Sequence, residues 1–142
     1  MSLHGTYDDQ NIFAKIIRGE MGCVKVHEDE HVISFMDIFP QSRGHTLVVP
    51  KEPARNLLEI SESGLAAAMG PLKRISAAVE AALKPDGVAI VQFNGAPAGQ
   101  SVFHIHFHII PRWENQTMAA HGQGQADLAE LEELAAQIRA KL

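Results

Sequence analysis

Apolar and polar residues alternate most regularly between residues 104 and 110, where the first, third and fifth residues are histidines. Successive side chains of a β-strand point to opposite faces, so the pattern predicts a strand with His104, His106 and His108 on one face, about 7 Å apart. A packing surface does not need three of the eight histidines of the chain. This face therefore indicates chemistry with protons, phosphate or metal. The residues between them are expected to face the core: Ile105, Phe107 and Ile109.

Three further segments have the composition of strands. Val24 and Val26, followed by residues 32–35, flank the polar residues 28–30 and predict a hairpin. Residues 45–49 are rich in β-branched side chains and end at Pro50, which cannot donate a ladder hydrogen bond. Residues 88–93 form another apolar run, ahead of a loop at 94–100. Together with the histidine strand, these segments predict a sheet of about five strands.

Helical spacing occurs in three places. Residues 10–18 predict a short helix, with Asp8 or Asp9 as the N-cap and Gly19 as the stop. Apolar residues recur every three or four positions over residues 61–83, although Pro71 should kink this long helix or divide it in two. A last helix follows Asp127, which forms a capping-box pattern with Glu130. Because strands and helices do not alternate as βαβ units, the prediction is an antiparallel α+β domain.

Composition narrows the class of protein. A chain of 142 residues is the size of one domain, so we treat residues 1–142 as a single unit. The net charge of −5 argues against a nucleic-acid partner, which would favour a basic surface. The single cysteine excludes an internal disulfide and points to a cytoplasmic protein. No apolar run reaches the length of a membrane span, so no membrane partner is expected.

Three interpretations of the histidine face compete. It could be a polar face in solvent, or a metal site in which two histidines of one strand bind an ion with a third ligand from elsewhere. It could also supply a nucleophile for phosphoryl or nucleotidyl transfer, because a neutral imidazole attacks phosphorus well. The preceding loop favours transfer, since its small residues would let backbone N–H groups approach an anion. The loop also carries three side-chain donors: Asn94, Gln100 and Ser101.

The run His-Ile-His-Phe-His-Ile-Ile resembles the signature of the histidine-triad (HIT) superfamily of nucleotide hydrolases and transferases. The segments at 11–20, 35–40, 44–51 and 99–101 are also similar to that family, so the resemblance covers residues 11–113. It implies a HIT-like fold with a core at 11–114 and a C-terminal tail and helix at 115–142. The sheet would have about five antiparallel strands, with one long and one or two shorter helices. The resemblance also implies a homodimer, in which a strand and the central helix of each copy pair across a two-fold axis.

The resemblance further implies a role for each matching residue. His106 would be the nucleophile, His108 would help to hold the phosphate, and His104 would bond with His45 to orient the site. Asp37 would accept hydrogen bonds from the ribose, although it could instead initiate a turn. Contacts with the phosphate oxygens and the leaving group would come from Asn94, Gln100 and Ser101. A purine slot would be lined by apolar residues that could equally be ordinary core: Ile12, Phe13, Ile16, Phe35 and Ile38.

The chain departs from the family in two places. Many bacterial members carry a Cys-x-x-Cys that joins two histidines on zinc, and Asn11 and Ala14 stand at those positions. We therefore expect no structural zinc, no other metal and no cofactor. The pair Pro111-Arg112 is similar to Fhit-like hydrolases and bacterial members, whereas the N-terminal half is more similar to the Hint branch.

These features predict an enzyme that acts on purine nucleotides through a covalent nucleotidyl-histidine. Its substrates would be phosphoramidates or dinucleoside polyphosphates, cleaved at the α-phosphate. The alternative is a nucleotide-binding regulatory or scaffold protein with incidental hydrolysis. A DNA-end deadenylase of the aprataxin type is disfavoured by the acidic charge. A histidine-ligated metalloenzyme is the remaining class.

Overall fold

The structure is a computed structural model that describes residues 2–117 and 124–142. Its five strands form one antiparallel sheet in the order β1-β2-β3-β5-β4. The strands are β1 (Lys25–Glu28), β2 (Val32–Met36), β3 (Thr46–Pro50), β4 (Gly87–Val91) and β5 (Phe107–Arg112). The helices are α1 (Ile12–Ile17), α2 (Glu62–Leu83) and α3 (Leu128–Arg139), with a short 3-10 turn at Ala96–Ala98. The α+β class and the five-stranded sheet are confirmed.

The two faces of the sheet are buried by different elements. One face carries Val48, Phe107 and Ile109, which pack against α2 and α3 in the larger core. The opposite face carries Leu47 and Val49 and packs against α1 in a smaller core. Burying each such side chain contributes about 1.5–3 kcal/mol, so both layers matter for stability. None of the helices in the described ranges is long and apolar enough to cross a membrane.

The histidine strand begins later than its sequence pattern predicts. β5 starts at Phe107, so His104 and His106 precede the regular ladder. The ladder with β3 stops at the pair Val48–Phe107. Beyond it, Pro50 has no N–H to donate, and its carbonyl accepts from the His104 side chain. The N–H of Ile105 donates to Ala54 instead, at 2.9 Å. Competing hydrogen bonds thus replace the expected strand pairing, although Ile105 is buried in the core as predicted.

Other element boundaries also differ from the predictions. Asn11 caps α1, because its side-chain oxygen accepts from the Ala14 N–H at 2.9 Å, so Asp8 and Asp9 are not the cap. α2 is one helix of 22 residues that continues through Pro71, which rules out two separate helices. Asp127 precedes α3 but makes no side-chain cap bond, so the capping box does not form.

Gly44 leads into β3 and therefore helps to place His45. Its φ is +92°, a conformation that favours glycine. A Cβ at this position would lie 2.2 Å from Cδ1 of Leu83 and 3.3 Å from Cγ of Pro111. The chain therefore needs glycine here, both for backbone conformation and for space.

We expect Gly44→Ala to lower the free energy of unfolding by about 1–3 kcal/mol, because the residue is strained at positive φ and crowds Leu83. Urea denaturation measures this change. Gly87→Ala is the matched control, since a Cβ there meets nothing within 4 Å and its φ is ordinary. Equal stability of the two variants would contradict this account of Gly44.

Candidate active site

Strand register gathers three polar side chains on the face of the smaller core. Phe35 pairs with Leu47, and Leu47 pairs with His108 across the next strand. Asp37 lies two residues after Phe35, and His45 lies two residues before Leu47. Side chains two residues apart share a face, so Asp37, His45 and His108 come together there. All three are buried.

Hydrogen bonds determine which ring nitrogen of each histidine carries a proton. The N–H of Gln41 donates to Nδ1 of His45 at 3.0 Å, so the proton of a neutral His45 lies on Nε2. That N–H donates to Nδ1 of His108 at 2.9 Å. The proton of a neutral His108 therefore lies on its Nε2. Asp37 lies close to this pair, with Oδ2 3.5 Å from Nε2 of His45, and its Oδ1 accepts from the Phe39 N–H at 2.8 Å.

His106 has the tautomer opposite to that of His45 and His108. Its Nδ1 lies 2.7 Å from the carbonyl oxygen of His104. A carbonyl only accepts, so Nδ1 carries the proton and Nε2 of the neutral ring holds the lone pair. The Phe13 ring is perpendicular to the His106 ring, with the two ring centroids 4.8 Å apart. The centroid of the His108 ring lies 4.9 Å from that of His106. The site thus places a lone pair on His106 beside an N–H donor on His108.

His104 does not join this pair of histidines. Its Nε2 lies 2.7 Å from the carbonyl oxygen of Pro50, and its Nδ1 lies 2.6 Å from the hydroxyl of Tyr7. The ring is buried, and that burial lowers the pKa of His104. Both ring nitrogens are therefore used away from His45, so the expected bond between His104 and His45 is wrong. His45 bonds with His108 instead, because the two share a sheet face.

A cavity of about 290 Å³ opens beside His106 and His108. It is mainly apolar, and burial raises the pKa of the Cys23 thiol on its wall, which keeps that group neutral. The wall residues that the sequence singled out are Ile12, Phe13, Ile16, Phe35, Asp37, Ile38 and Ser101. The sequence analysis did not single out several other wall residues, which include Met21, Gly22, Cys23, Leu47, Phe39 and Val102. The link from α1 to β1 has no periodicity that would have revealed its part of the wall.

The loop before the triad is not the anion cradle that its sequence suggested. Its N–H groups are engaged within the protein: that of Gly95 donates to the Gln100 side chain, and that of Ala96 to the Ser2 hydroxyl. The N–H groups of Ala98, Gly99 and Gln100 donate to carbonyls within the loop itself. Pro97 has no N–H. The loop between residues 95 and 100 thus satisfies its own donors and offers none to a phosphate.

Of the three polar loop side chains, two have structural bonds. Both N–H donors of the Gln100 amide are used, by the carbonyls of Arg55 and Val102 at 2.6 and 3.0 Å. Gln100 is also buried, so its expected contact with phosphate is wrong in this conformation. The oxygen of Asn94 accepts from the Leu57 N–H and from the Gln92 amide, and Asn94 is not among the residues that line the cavity. Ser101 is exposed on the cavity wall.

Two groups of residues could be considered as metal ligands. The Asn11 side chain caps α1 and Ala14 has no ligand atom, while Nδ1 of His104 is bonded to Tyr7. These residues do not fit a structural zinc. A different set, Asp37, His45 and His108, has ligand atoms within 4.8 Å of one another. In this set, Nε2 of His45 and Nδ1 of His108 already form a hydrogen bond with each other at 2.9 Å. The absence of structural zinc stays a prediction, which metal analysis of chelator-washed protein would test.

The structure is an antiparallel α+β sheet with a buried histidine site, and comparison with known sequences identifies its family. The sequence pattern described as "HIT domain" matches residues 18–115, which is more than half of the chain. The chain belongs to the HIT family.

Solved and named relatives agree with this assignment. The crystal structure of a Hit-like protein from Bartonella henselae, described as involved in cell-cycle regulation and as holding an unknown ligand, is 46% identical. It superposes with a TM-score of 0.93 over 97% of this chain and 100% of that one. Adenosine 5'-monophosphoramidase hnt1 of Schizosaccharomyces pombe is 41% identical over 71% of this chain and 73% of its own. Adenylylsulfatase HINT3 of Arabidopsis thaliana is 38% identical over 82% of this chain and 62% of its own.

Proposed function

We propose that this protein hydrolyses purine nucleotides at the α-phosphate, with phosphoramidates or dinucleoside polyphosphates as substrates. The named relatives that act on adenosine 5'-monophosphoramidate and adenylylsulfate support nucleotide hydrolysis as the general activity. The cavity supports one bound nucleoside, because its volume of about 290 Å³ suits a single purine and ribose. Its wall of Ile12, Phe13, Phe35 and Ile38 suits stacking with a flat base.

The observation that carries this proposal is the tautomer of His106. Its Nδ1–H donates to the His104 carbonyl, so Nε2 holds a lone pair without any prior loss of a proton. Beside it, the bond from His45 leaves the proton of His108 on Nε2, where it would bind a phosphate oxygen. An attacking nitrogen and a phosphate donor thus stand side by side.

The reaction has two steps. Nε2 of His106 attacks the α-phosphorus, a P–N bond to the ring forms, and the bond from phosphorus to the leaving group breaks. Water then attacks the same phosphorus, breaks the P–N bond, and releases the nucleoside monophosphate. Solvent supplies the proton that the leaving group gains in the first step and takes up the proton that the attacking water loses in the second. His106 keeps its Nδ1 proton throughout and returns to its starting state.

We expect His106→Ala to lower turnover of AMP-phosphoramidate by about a thousandfold or more, because nothing replaces the attacking nitrogen. Nucleotide binding should survive, since the other contacts come from other residues. Steady-state kinetics and AMP titration measure the two effects, and the same assay with diadenosine polyphosphates separates the two substrate classes. His31→Ala, an exposed histidine outside the cavity, is the matched control. Turnover by His106→Ala near the wild-type rate would exclude the mechanism, and wild-type binding without turnover would favour a scaffold.

We expect Asp37 to select ribose over deoxyribose. Its carboxylate would accept bonds from both ribose hydroxyls, and each charge-assisted bond contributes about 1.5–3 kcal/mol. Substrates without the 2′-hydroxyl should therefore bind about tenfold to a hundredfold more weakly, while adenine and guanine differ little. Asp37→Ala should abolish this preference without abolishing turnover. Asp37→Asn is the matched variant, because its oxygen still accepts from Phe39. Equal turnover of the AMP- and dAMP-phosphoramidates by wild type would show that Asp37 is only a turn residue.

We also propose that two copies of the chain form a homodimer. β4 lies at one edge of the sheet and pairs only with β5. Its Ile90 is 44% exposed, although it shares the sheet face that α2 covers. On α2, Met69 is 39% exposed, and Ala66 and Ala77 are also on the surface. An open strand edge beside an apolar helix surface suits pairing across a two-fold axis.

We expect the wild type to be a dimer at micromolar concentration, and Ile90→Lys combined with Met69→Lys to make it a monomer, because two charges would be buried at the interface. Light scattering coupled to size-exclusion chromatography gives the mass. Leu128→Lys is the control, because this residue is 63% exposed but lies on α3. A monomeric wild type would contradict the prediction.

A further inference from the structure

Tyr7 contacts the site through the outermost histidine of the triad. Its hydroxyl lies 2.6 Å from Nδ1 of His104, and the two rings meet edge to face at 5.7 Å. The other ring nitrogen of His104 donates to the Pro50 carbonyl at 2.7 Å. A neutral ring has one N–H, so Nδ1 accepts and the tyrosine hydroxyl donates. Tyr7 thus fixes the tautomer of His104 as well as its position.

The His104 backbone holds the nucleophile. Its carbonyl accepts from Nδ1 of His106, and this bond keeps the lone pair on Nε2. The segment lies outside the regular ladder, since β5 begins only at Phe107. Within this segment, the Ile105 N–H donates to the Ala54 carbonyl at 2.9 Å. The side-chain bonds of His104 add to this backbone bond in holding the His104 carbonyl in place.

We propose that Tyr7 is a positioning residue for the nucleophile: its bond to the His104 ring holds the peptide whose carbonyl keeps His106 in the attacking tautomer. This inference rests on the proposed function of His106. It assigns a catalytic consequence to a residue outside the substrate cavity. Burial raises the pKa of the Tyr7 hydroxyl and lowers that of His104, so both groups are neutral and the donor and acceptor stay as described.

The N-terminal segment that carries Tyr7 is held by bonds from buried residues. The Arg55 guanidinium donates to the Thr6 carbonyl at 3.4 Å, and the Asn56 amide donates to the Leu3 carbonyl at 2.8 Å. Both donors are buried, and the guanidinium also lies over the Phe103 ring, next to His104 in the chain. The N-terminal segment is thus fastened to the same part of the molecule that carries the triad. A flexible tail would not position a catalytic group.

The test compares Tyr7→Phe, which removes only the hydroxyl, with Thr6→Val, which removes an exposed hydroxyl from the neighbouring residue. Long-range ¹H–¹⁵N NMR spectra of the histidine rings report the tautomers without any substrate. In wild type we expect a proton on Nε2 of His104 and on Nδ1 of His106. In Tyr7→Phe we expect His106 to become a mixture of tautomers, because the peptide that fixes it has lost its anchor. Thr6→Val should match wild type.

Kinetics give the second readout. With AMP-phosphoramidate, we expect Tyr7→Phe to lower kcat about tenfold to a hundredfold, the effect of leaving one buried acceptor unsatisfied. KM should stay within about twofold, because the base and ribose contacts are elsewhere. Unchanged kcat together with an unchanged His106 tautomer would overturn the proposal.

The NMR result stands even if wild type does not turn over this substrate, so failure of the proposed function is distinguishable from failure of the positioning role. If Tyr7→Phe does not fold, the wild-type NMR spectrum still shows whether the Tyr7 hydroxyl donates to Nδ1 of His104. A proton on Nδ1 of His104, or a charged ring at neutral pH, would contradict the bond from Tyr7.

Discussion

The bond from the His106 ring to the His104 carbonyl is the interaction on which the chemistry of this site depends. It determines which nitrogen of His106 holds the lone pair that the proposed mechanism would use, because the carbonyl accepts the hydrogen bond from Nδ1–H and leaves the lone pair on Nε2. The carbonyl is useful only if it stays in place. Pro50 and Tyr7, which bond to the His104 ring, and the backbone bond of Ile105 support its position. In the proposed mechanism, groups outside the substrate cavity would therefore set the reactivity of His106.

His45 and His104 are both buried, and their ring nitrogens are bonded in different ways. Burying an imidazole is unfavourable unless its polar atoms are bonded, and the described ring nitrogens of His45 and His104 all have partners. His45 extends its bonds into the site through His108, whereas His104 directs its bonds away from the cavity. In the proposed mechanism the three triad histidines, His104, His108 and His106, would have a supporting, a binding and an attacking role. Their surroundings, and not their sequence pattern, separate these roles.

The cavity divides recognition between shape and a few polar groups. Its wall is mainly apolar and suits the base in the proposed function, while Asp37, Ser101 and His108 are polar groups on the same wall. The loop beside it contributes rigidity, since its N–H groups are bonded internally and its Gln100 amide joins it to Arg55 and Val102. A loop that is already ordered adds no cost of ordering when a ligand binds beside it.

Periodicity and local composition determined the long helix and the α+β class, because they report which side chains share a face. The resemblance to the HIT family pointed to about half of the residues on the cavity wall. It also singled out His106, since the triad pattern is local. Only the tertiary structure decided that His45 bonds with His108 and that Gln100 is structural. It also decided that the strand begins at Phe107 and that Tyr7 reaches His104. These facts join residues far apart in the chain, where register and competing hydrogen bonds decide the outcome and no local pattern records it.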